Sequence, residues 1–253
     1  LNICHAHSEA DDGLEHLQRH CGLPLTIAIE SCTRDASIAL ARGNEILHYI
    51  PLDRQRRTAA TIGVSLSELL EEARCDKGSI DFVAVTDGPG SFTGLRIGVT
   101  TAKALAYALN CKIIAVDALA CMAMQLWTAN PTASRITTSL NAYRGQQFTA
   151  TWTREQWTEA TDVTGDFASQ SGVVDSDHWS MLVEAAPNEH LFGAEAIVAN
   201  RFTSGRVVAV EPNARDVAML SFTIGSHERF ASPMQLLPRY LRDSAAEEKL
   251  RSG

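Results

Sequence analysis

What this 253-residue chain has little of narrows it before any motif is read. Basic side chains are outnumbered, 22 Lys and Arg against 30 Asp and Glu, for a formal net charge of −8. Affinity for nucleic acid rests largely on neutralising phosphates with Lys and Arg, so this chain is not expected to grip RNA or DNA alone. No apolar run approaches the roughly 20 residues of a membrane-spanning helix, and no secretory-signal pattern opens the sequence. The six cysteines (Cys4, Cys21, Cys32, Cys75, Cys111 and Cys121) include no C-x-x-C pair. Scattered over a chain of this length they suggest reduced, mostly buried thiols, and with the other absences they lead to the expectation of a cytoplasmic protein.

What is there begins with residues 1–24, which hold four of the eight histidines. His16 and His20 would share one face of a helix and could chelate a metal. The intervening residues read "HLQRH", without the general-base Glu of an H-E-x-x-H pattern. This stretch is read as a flexible polar extension, with no metal site assigned to it.

A hydrophobic content of 45% is ample for one domain or two small lobes. "LTIAIES" reads as a buried strand, and "DASIALAR" and "EILHYIPL" as a hairpin turning at Gly43-Asn44. A helix is predicted from Thr58 to Arg74, with Ile62, Leu66, Leu69, Leu70 and Ala73 on one face and Glu68, Glu71 and Glu72 opposite. "DFVAVT" is a fourth strand, then comes a second helix ending at Asn110, a fifth strand "KIIAV", and a third helix capped by Asp117. A hairpin followed by crossover units means a mixed sheet with helices on its faces, the order of a ribonuclease-H-like or actin-like half-domain. The division expected is a first lobe over 25–128, a smaller second lobe over 129–242 and a charged, fraying tail over 243–253. In the second half a hairpin at Arg144-Gly145, helices in "GAEAIVANRF" and "PNARDVAMLSF" and a strand in "RVVAVEP" are legible, but no repeat of the first lobe is visible at residue level.

The densest motif is "TDGPGSFTGLRIGVTTAKALAYAL", from Thr86 to Leu109. A glycine-rich turn from strand to helix is a ready anion site. Yet Gly88, Pro89, Gly90, Ser91, Phe92 and Thr93 match neither G-x-x-x-x-G-K-[ST] nor G-x-G-x-x-G, and the only nearby cation is Arg96. The same residues also make a sharp reversal with a Ser91 or Thr93 cap. Gly94, Gly98, Ala102 and Ala106 then recur every four residues as a small-residue ridge. A glycine inside a helix costs about 1 kcal/mol relative to alanine, so two of them imply close packing, against the chain's own sheet or a partner.

Enzymes of this topology ask for more. A nuclease needs carboxylates converging on two metals, for which Glu30, Glu71 or Glu72, and Asp87 are the candidates. A kinase needs glycine in the turn after the first strand, which here reads "ESCTRDAS", and a glycine pair in the second lobe, where "LFGAEAI" offers the single Gly193. An actin-like phosphotransferase or a ribonuclease-H-like nuclease is the alternative to a binding role.

"DGPGSFTGLRIGVTTAKALAYAL" closely resembles the signature of the TsaB (YeaZ) family, as do "LTIAIESCTRDASIAL", "IIAVDALACMA", "LNAYRGQQF" and "LPRYLR" around it. The resemblance runs from about Leu25 to Arg242 and is thin from Thr153 to Glu189. It implies an α/β, actin-like (ASKHA, ribonuclease-H-like) fold of two lobes with mixed sheets flanked by helices. It also implies a non-catalytic subunit that binds and activates TsaD, the transferase that threonylcarbamoylates the tRNA adenosine beside the anticodon. TsaE, an ATPase, would join the assembly, tRNA would be met only through the complex, and no cofactor would be held. In such proteins the first two helices pack on TsaD. The resemblance therefore assigns partner contact to Ile62, Leu66, Leu69, Leu70, Gly94, Gly98, Ala102, Leu105 and Ala106, with Leu69→Asp expected to abolish it, and allows a homodimer through the same helices when the partner is absent. The metal-binding H-x-x-x-H of TsaD-like subunits has no counterpart in "VDALACMA". Two positions depart from the usual TsaB pattern: the first strand ends in Glu30 instead of Asp, and the segment often reading "DARRGE" is Asn141 to Gln146.

Overall fold

A computed structural model describes residues 22–53, 58–74, 77–202 and 206–242. The histidine-rich segment, Cys4, Cys21, Cys75 and the charged tail after 242 lie outside the described residues.

The chain builds β1 (Leu25–Glu30), β2 (Ser37–Arg42), β3 (Glu45–Pro51), α1 (Thr58–Glu72), β4 (Phe82–Gly88), α2 (Phe92–Leu109), β5 (Lys112–Asp117) and α3 (Ala118–Ala129). It continues with β6 (Arg135–Tyr143), β7 (Gln146–Thr153), α4 (Arg154–Glu159), β8 (Ser171–Asp175), α5 (Ser176–Ala185), β9 (His190–Ala194), α6 (Ala196–Ala199), β10 (Val207–Ala209) and α7 (Ala214–Ser226). The first sheet runs β3-β2-β1-β4-β5, and the second, read from its far edge, runs β8-β7-β6-β9-β10. In each, the first three strands are antiparallel and the last two join in parallel. Helices fall at equivalent places, so the second half repeats the first in topology. The fold is α/β and actin-like, two mixed sheets flanked by helices.

Alternation along the first sheet sets what covers it. Leu25, Ile27, Ile29, Ile38, Leu40, Val83 and Val85 point to the face packed by α1 and α2. Ala28, Ala39, Ala41 and Ala84 point to the other, where small side chains let a helix approach closely. That helix is α7, which returns from the second lobe; the N–H of Ala214 donates to Ser37 Oγ at 3.0 Å, and the Arg215 guanidinium lies 3.9 Å from the Tyr49 ring centre. Reciprocally, α3 leaves the first lobe and packs on β6 and β9, with Thr138 Oγ1 donating to Leu119 O at 3.0 Å. Each lobe thus lends its last helix to the other's sheet, and one core spans both. The second lobe carries the bulk of the aromatics: Trp157 packs against Trp127, Trp152 and Phe167 at centroid distances of 6.1, 5.7 and 5.1 Å.

The hairpins stand where the turn residues place them, with Gly43 at φ +57° and Arg144 and Gly145 both at positive φ. Asn110 closes α2 in the left-handed conformation and Asp117 caps α3. "GAEAIVANRF" departs from expectation: Gly193 and Ala194 end β9, leaving a helix of only four residues. "LLPRYLR" forms no helix or strand; it runs from the first lobe, where Lys103 Nζ donates to Leu236 O, to the second, where Arg242 Nη1 donates to Ala142 O.

Candidate functional site

The glycine-rich motif is spent inside the molecule. A Cβ on Gly94 would lie 1.9 Å from the Ser31 carbonyl oxygen, and one on Gly98 would lie 2.2 Å from Ser31 Oγ. Ser31 Oγ donates to Gly94 O at 2.9 Å. Ala102 and Ala106 continue the same buried line. The ridge is therefore the seat of α2 on its own sheet. Ile62, Leu66, Leu69 and Leu70 are likewise buried against β1 to β4, and Leu105 is half-buried beside them. The outer faces are other residues: Gly63, Val64, Ser67 and Glu68 on α1, and Arg96, Thr100, Ala104, Tyr107 and Ala108 on α2. Val64 and Tyr107 are 60% and 85% exposed. Leu69→Asp would put a carboxylate into the core, so it would unfold the chain before it tested any contact.

The loop before α2 is equally committed. Gly88 and Gly90 take φ of +146° and +158° around a cis Gly88–Pro89 bond, and a Cβ on Gly90 would lie 2.6 Å from Cys32 Cβ and O. The Ser91 N–H donates to Cys32 O at 2.7 Å, and Ser91 Oγ accepts from Gly94 N at 3.3 Å as the helix cap. In the turn after β1, where a phosphate-binding loop would aim free N–H groups outward, Glu30 Oε1 accepts from the N–H groups of Cys32 at 2.6 Å and Thr33 at 3.2 Å. The chain's own carboxylate stands where an anion would.

Three carboxylates end adjacent strands: Glu30 on β1, Asp87 on β4 and Asp117 on β5. Burial pushes the Glu30 carboxyl up to about 7. It does the same to Asp87, outweighing the pull of Arg239, and it raises Asp117. Such shifts often mark active sites, but here each group already has an internal partner. Arg239 Nη2 donates to Asp117 Oδ2 and to Gly88 O at 2.8 Å, and stands 3.7 Å from Asp87 Oδ1. Asp117 also accepts from Ser171 Oγ at 2.7 Å and Ala120 N at 2.8 Å. The nuclease candidates do not converge: Glu71 and Glu72 are exposed on α1, where Glu72 lies 3.7 Å from His48. Among the described residues no group of His, Cys, Asp or Glu is placed to hold a metal ion. Gly193, the candidate for an adenosine contact, is packed under α3, since a Cβ there would meet Leu126 Cδ1 at 2.5 Å.

Arg96, the cation next to the glycine-rich loop, lies over the Phe92 ring at 4.0 Å and donates from Nε to the Tyr240 hydroxyl at 3.0 Å. Tyr240 stacks on Phe92 with centroids 4.3 Å apart. Arg239 and Tyr240 are the residues that periodicity misses, because they sit in an irregular segment; the alternation of basic and aromatic residues in "LPRYLR" is the only trace of them.

The family model described as TsaD, tRNA N6-adenosine threonylcarbamoyltransferase, matches residues 44–170, half of the chain. The chain is similar to the tRNA threonylcarbamoyladenosine biosynthesis protein TsaB of Escherichia coli, 28% identical over 130 residues, covering 51% of this chain and 55% of that protein. The TsaB of Haemophilus influenzae is 22% identical over 231 residues, 88% of this chain and 96% of its own length. A threonylcarbamoyltransferase of Clostridioides difficile is 34% identical over 109 residues, 37% of this chain and 32% of the enzyme. The chain thus spans about a third to about half the length of the first curated relatives it matches. Among solved structures, a Pseudomonas aeruginosa protein described as similar to peptidase YeaZ superposes with a TM-score of 0.68 at 23% identity, over 87% of this chain and all of its own. Among the described residues no helix is long and apolar enough to cross a membrane. The matched family model, the curated TsaB relatives and the shared fold together place the chain: it belongs to the threonylcarbamoyltransferase family in this broad sense, as a TsaB/YeaZ member.

Proposed function

We infer that this chain is a non-catalytic subunit that binds a TsaD-like transferase through the outer faces of α1 and α2 and activates it in threonylcarbamoylation of the tRNA adenosine next to the anticodon. The observation that carries this reading is where the motif's two sides go. Its inner side is used up on Ser31 and Cys32, and the strand-end carboxylates Glu30, Asp87 and Asp117 are engaged by backbone N–H groups and by Arg239. Its outer side leaves Tyr107 and, on the neighbouring helix, Val64 open to water, and tyrosine is a residue type enriched where protein contacts bury surface. The partner-contact residues named from the sequence support these helices from beneath, and Val64, Ala104 and Tyr107 make the contact. The TsaE-like ATPase and tRNA join through the assembled complex, and in the partner's absence two copies pair through the same face.

Reconstitution tests this. Unmodified tRNA is incubated with the TsaD-like and TsaE-like subunits and the donor-forming enzyme of the same organism, with and without this chain. Modification that needs the chain, from a chain that alone neither modifies tRNA nor hydrolyses ATP, supports the reading. Modification without it, or nucleotide turnover by the chain alone, overturns it.

A further inference from the structure

The segment after α7 crosses the molecule as a strap. It starts where the Ala231 N–H donates to Ile113 O at 2.8 Å. Lys103 Nζ on α2 holds Leu236 O at 3.0 Å, and the Arg239 N–H donates to Asp87 O at 2.7 Å. Tyr240 stacks on Phe92, and Arg242 Nη1 donates to Ala142 O, in the second lobe, at 2.7 Å. The strap therefore passes over the glycine-rich loop and ends on the other lobe. Contact with the loop is close: a Cβ on Gly88 would lie 2.4 Å from Arg239 O. The order from outside inward is strap, loop, then Ser31 and Cys32.

We propose that residues 232–242 form a latch, with Arg239 as its clasp on Asp117 and Asp87, that bridges the two lobes and holds the glycine-rich loop down on Cys32. The latch goes beyond the partner-binding reading and does not depend on it. Its clasp is built to release. Arg239 uses Nη2 for all its side-chain contacts, while Nε and Nη1 are buried with no hydrogen-bond partner among the described residues. A guanidinium anchored at one nitrogen forgoes the bidentate grip that makes arginine pairs strong. On either side of Arg239 the strap is pinned by Leu236, buried in the first lobe's core, and by Leu241, packed on the shared core, so it is the stretch between them, over the glycine-rich loop, that depends on the clasp and can open locally.

Three free cysteines report on the latch in the intact chain. Cys32 lies buried under the loop, Cys121 is buried in α3 one turn beyond Asp117 and near Cys32, and Cys111 is partly exposed. Pulsed alkylation with iodoacetamide, read by peptide mass spectrometry, would be run on the wild-type chain, Arg239→Ala and Asp117→Asn. The latch predicts Cys32 labelling about tenfold faster or more in both variants, with Cys111 labelled alike throughout and the urea midpoint of global unfolding kept. If Arg239→Ala shows no cooperative unfolding transition, Asp117→Asn, whose Oδ1 can still cap Ala120, carries the test. Unchanged Cys32 labelling in the folded variants overturns the latch. So does a fall in global stability, by urea denaturation, large enough to account for the faster labelling, which would make Arg239 a support of the whole fold.

Discussion

The two lobes share one strand order and differ in what covers it. In the first, the helices after the third and fourth strands run 15 and 18 residues; in the second, their counterparts run 10 and 4. The first lobe has long helices, α2 seated through glycine, on a sheet of branched aliphatics. The second has stub helices and fills its volume with tryptophan. The same topology therefore serves two ends: a broad helical surface on one side, and on the other a compact support that lends α7 to the first sheet.

The comparison can be broken at the second lobe's outer core. Trp179 is buried edge-on to Phe192 and Phe202, at 5.9 and 5.4 Å, in a small cluster with Val183, Val198 and Val207. Trp179→Ala is expected to cost about 3–5 kcal/mol, measured by urea denaturation. A loss below 1 kcal/mol would mean that the aromatic filling is not what holds this lobe. The first lobe's equivalent weak point is the seat of α2. Gly94→Ala drives a methyl into the Ser31 carbonyl and is expected to cost about 1–3 kcal/mol, although alanine is the better helix former.

A smaller effect comes from Glu30. Between pH 4.5 and about 7 the folded chain keeps a proton on this buried carboxyl that the unfolded chain has released. Its contribution to stability is therefore lost as pH rises through that window. Glu30→Gln retains an oxygen to accept from Cys32 and Thr33 and has no charge to bury, so its thermal midpoint should exceed that of the wild type at pH 8, with the gap closing toward pH 4.5. Calorimetry across pH decides it, since a gap that widens in acid would contradict the assignment. The smallest effect has the opposite sign to Gly94→Ala. Gly63 is exposed inside α1 with nothing near its missing Cβ, so Gly63→Ala should stabilise by about 0.5–1 kcal/mol.

These pairs show what the sequence carried and where it stopped. Local signals were readable: the alternation of β1, the Ser91 and Asp117 caps, the left-handed Asn110 and the turns at Gly43 and Gly145. The small-residue ridge was readable as a close contact, but not what it touches, because helical spacing names a face and never its neighbour. Only the fold brings Ser31 to Gly94, 63 residues away, and so moves Leu69 and Gly98 from the expected partner surface into the core. Arg239 reaches Asp117 across 122 residues from an irregular segment, beyond any periodic signal. The repeat of the first lobe in the second was hidden for a related reason. Strand order survives when side chains change, and α6 has shrunk below the length at which periodicity can be seen.

The central claim is that the outer face of α1 and α2 holds a transferase partner. The direct measurement is the affinity of this chain for the TsaD-like subunit, by calorimetry, for the wild type and for Tyr107→Asp, with folding checked by thermal unfolding. At an exposed site the substitution should leave stability within about 0.5 kcal/mol, while loss of a central aromatic anchor weakens binding by about thirtyfold or more. Unchanged affinity in a folded Tyr107→Asp chain would contradict the claim.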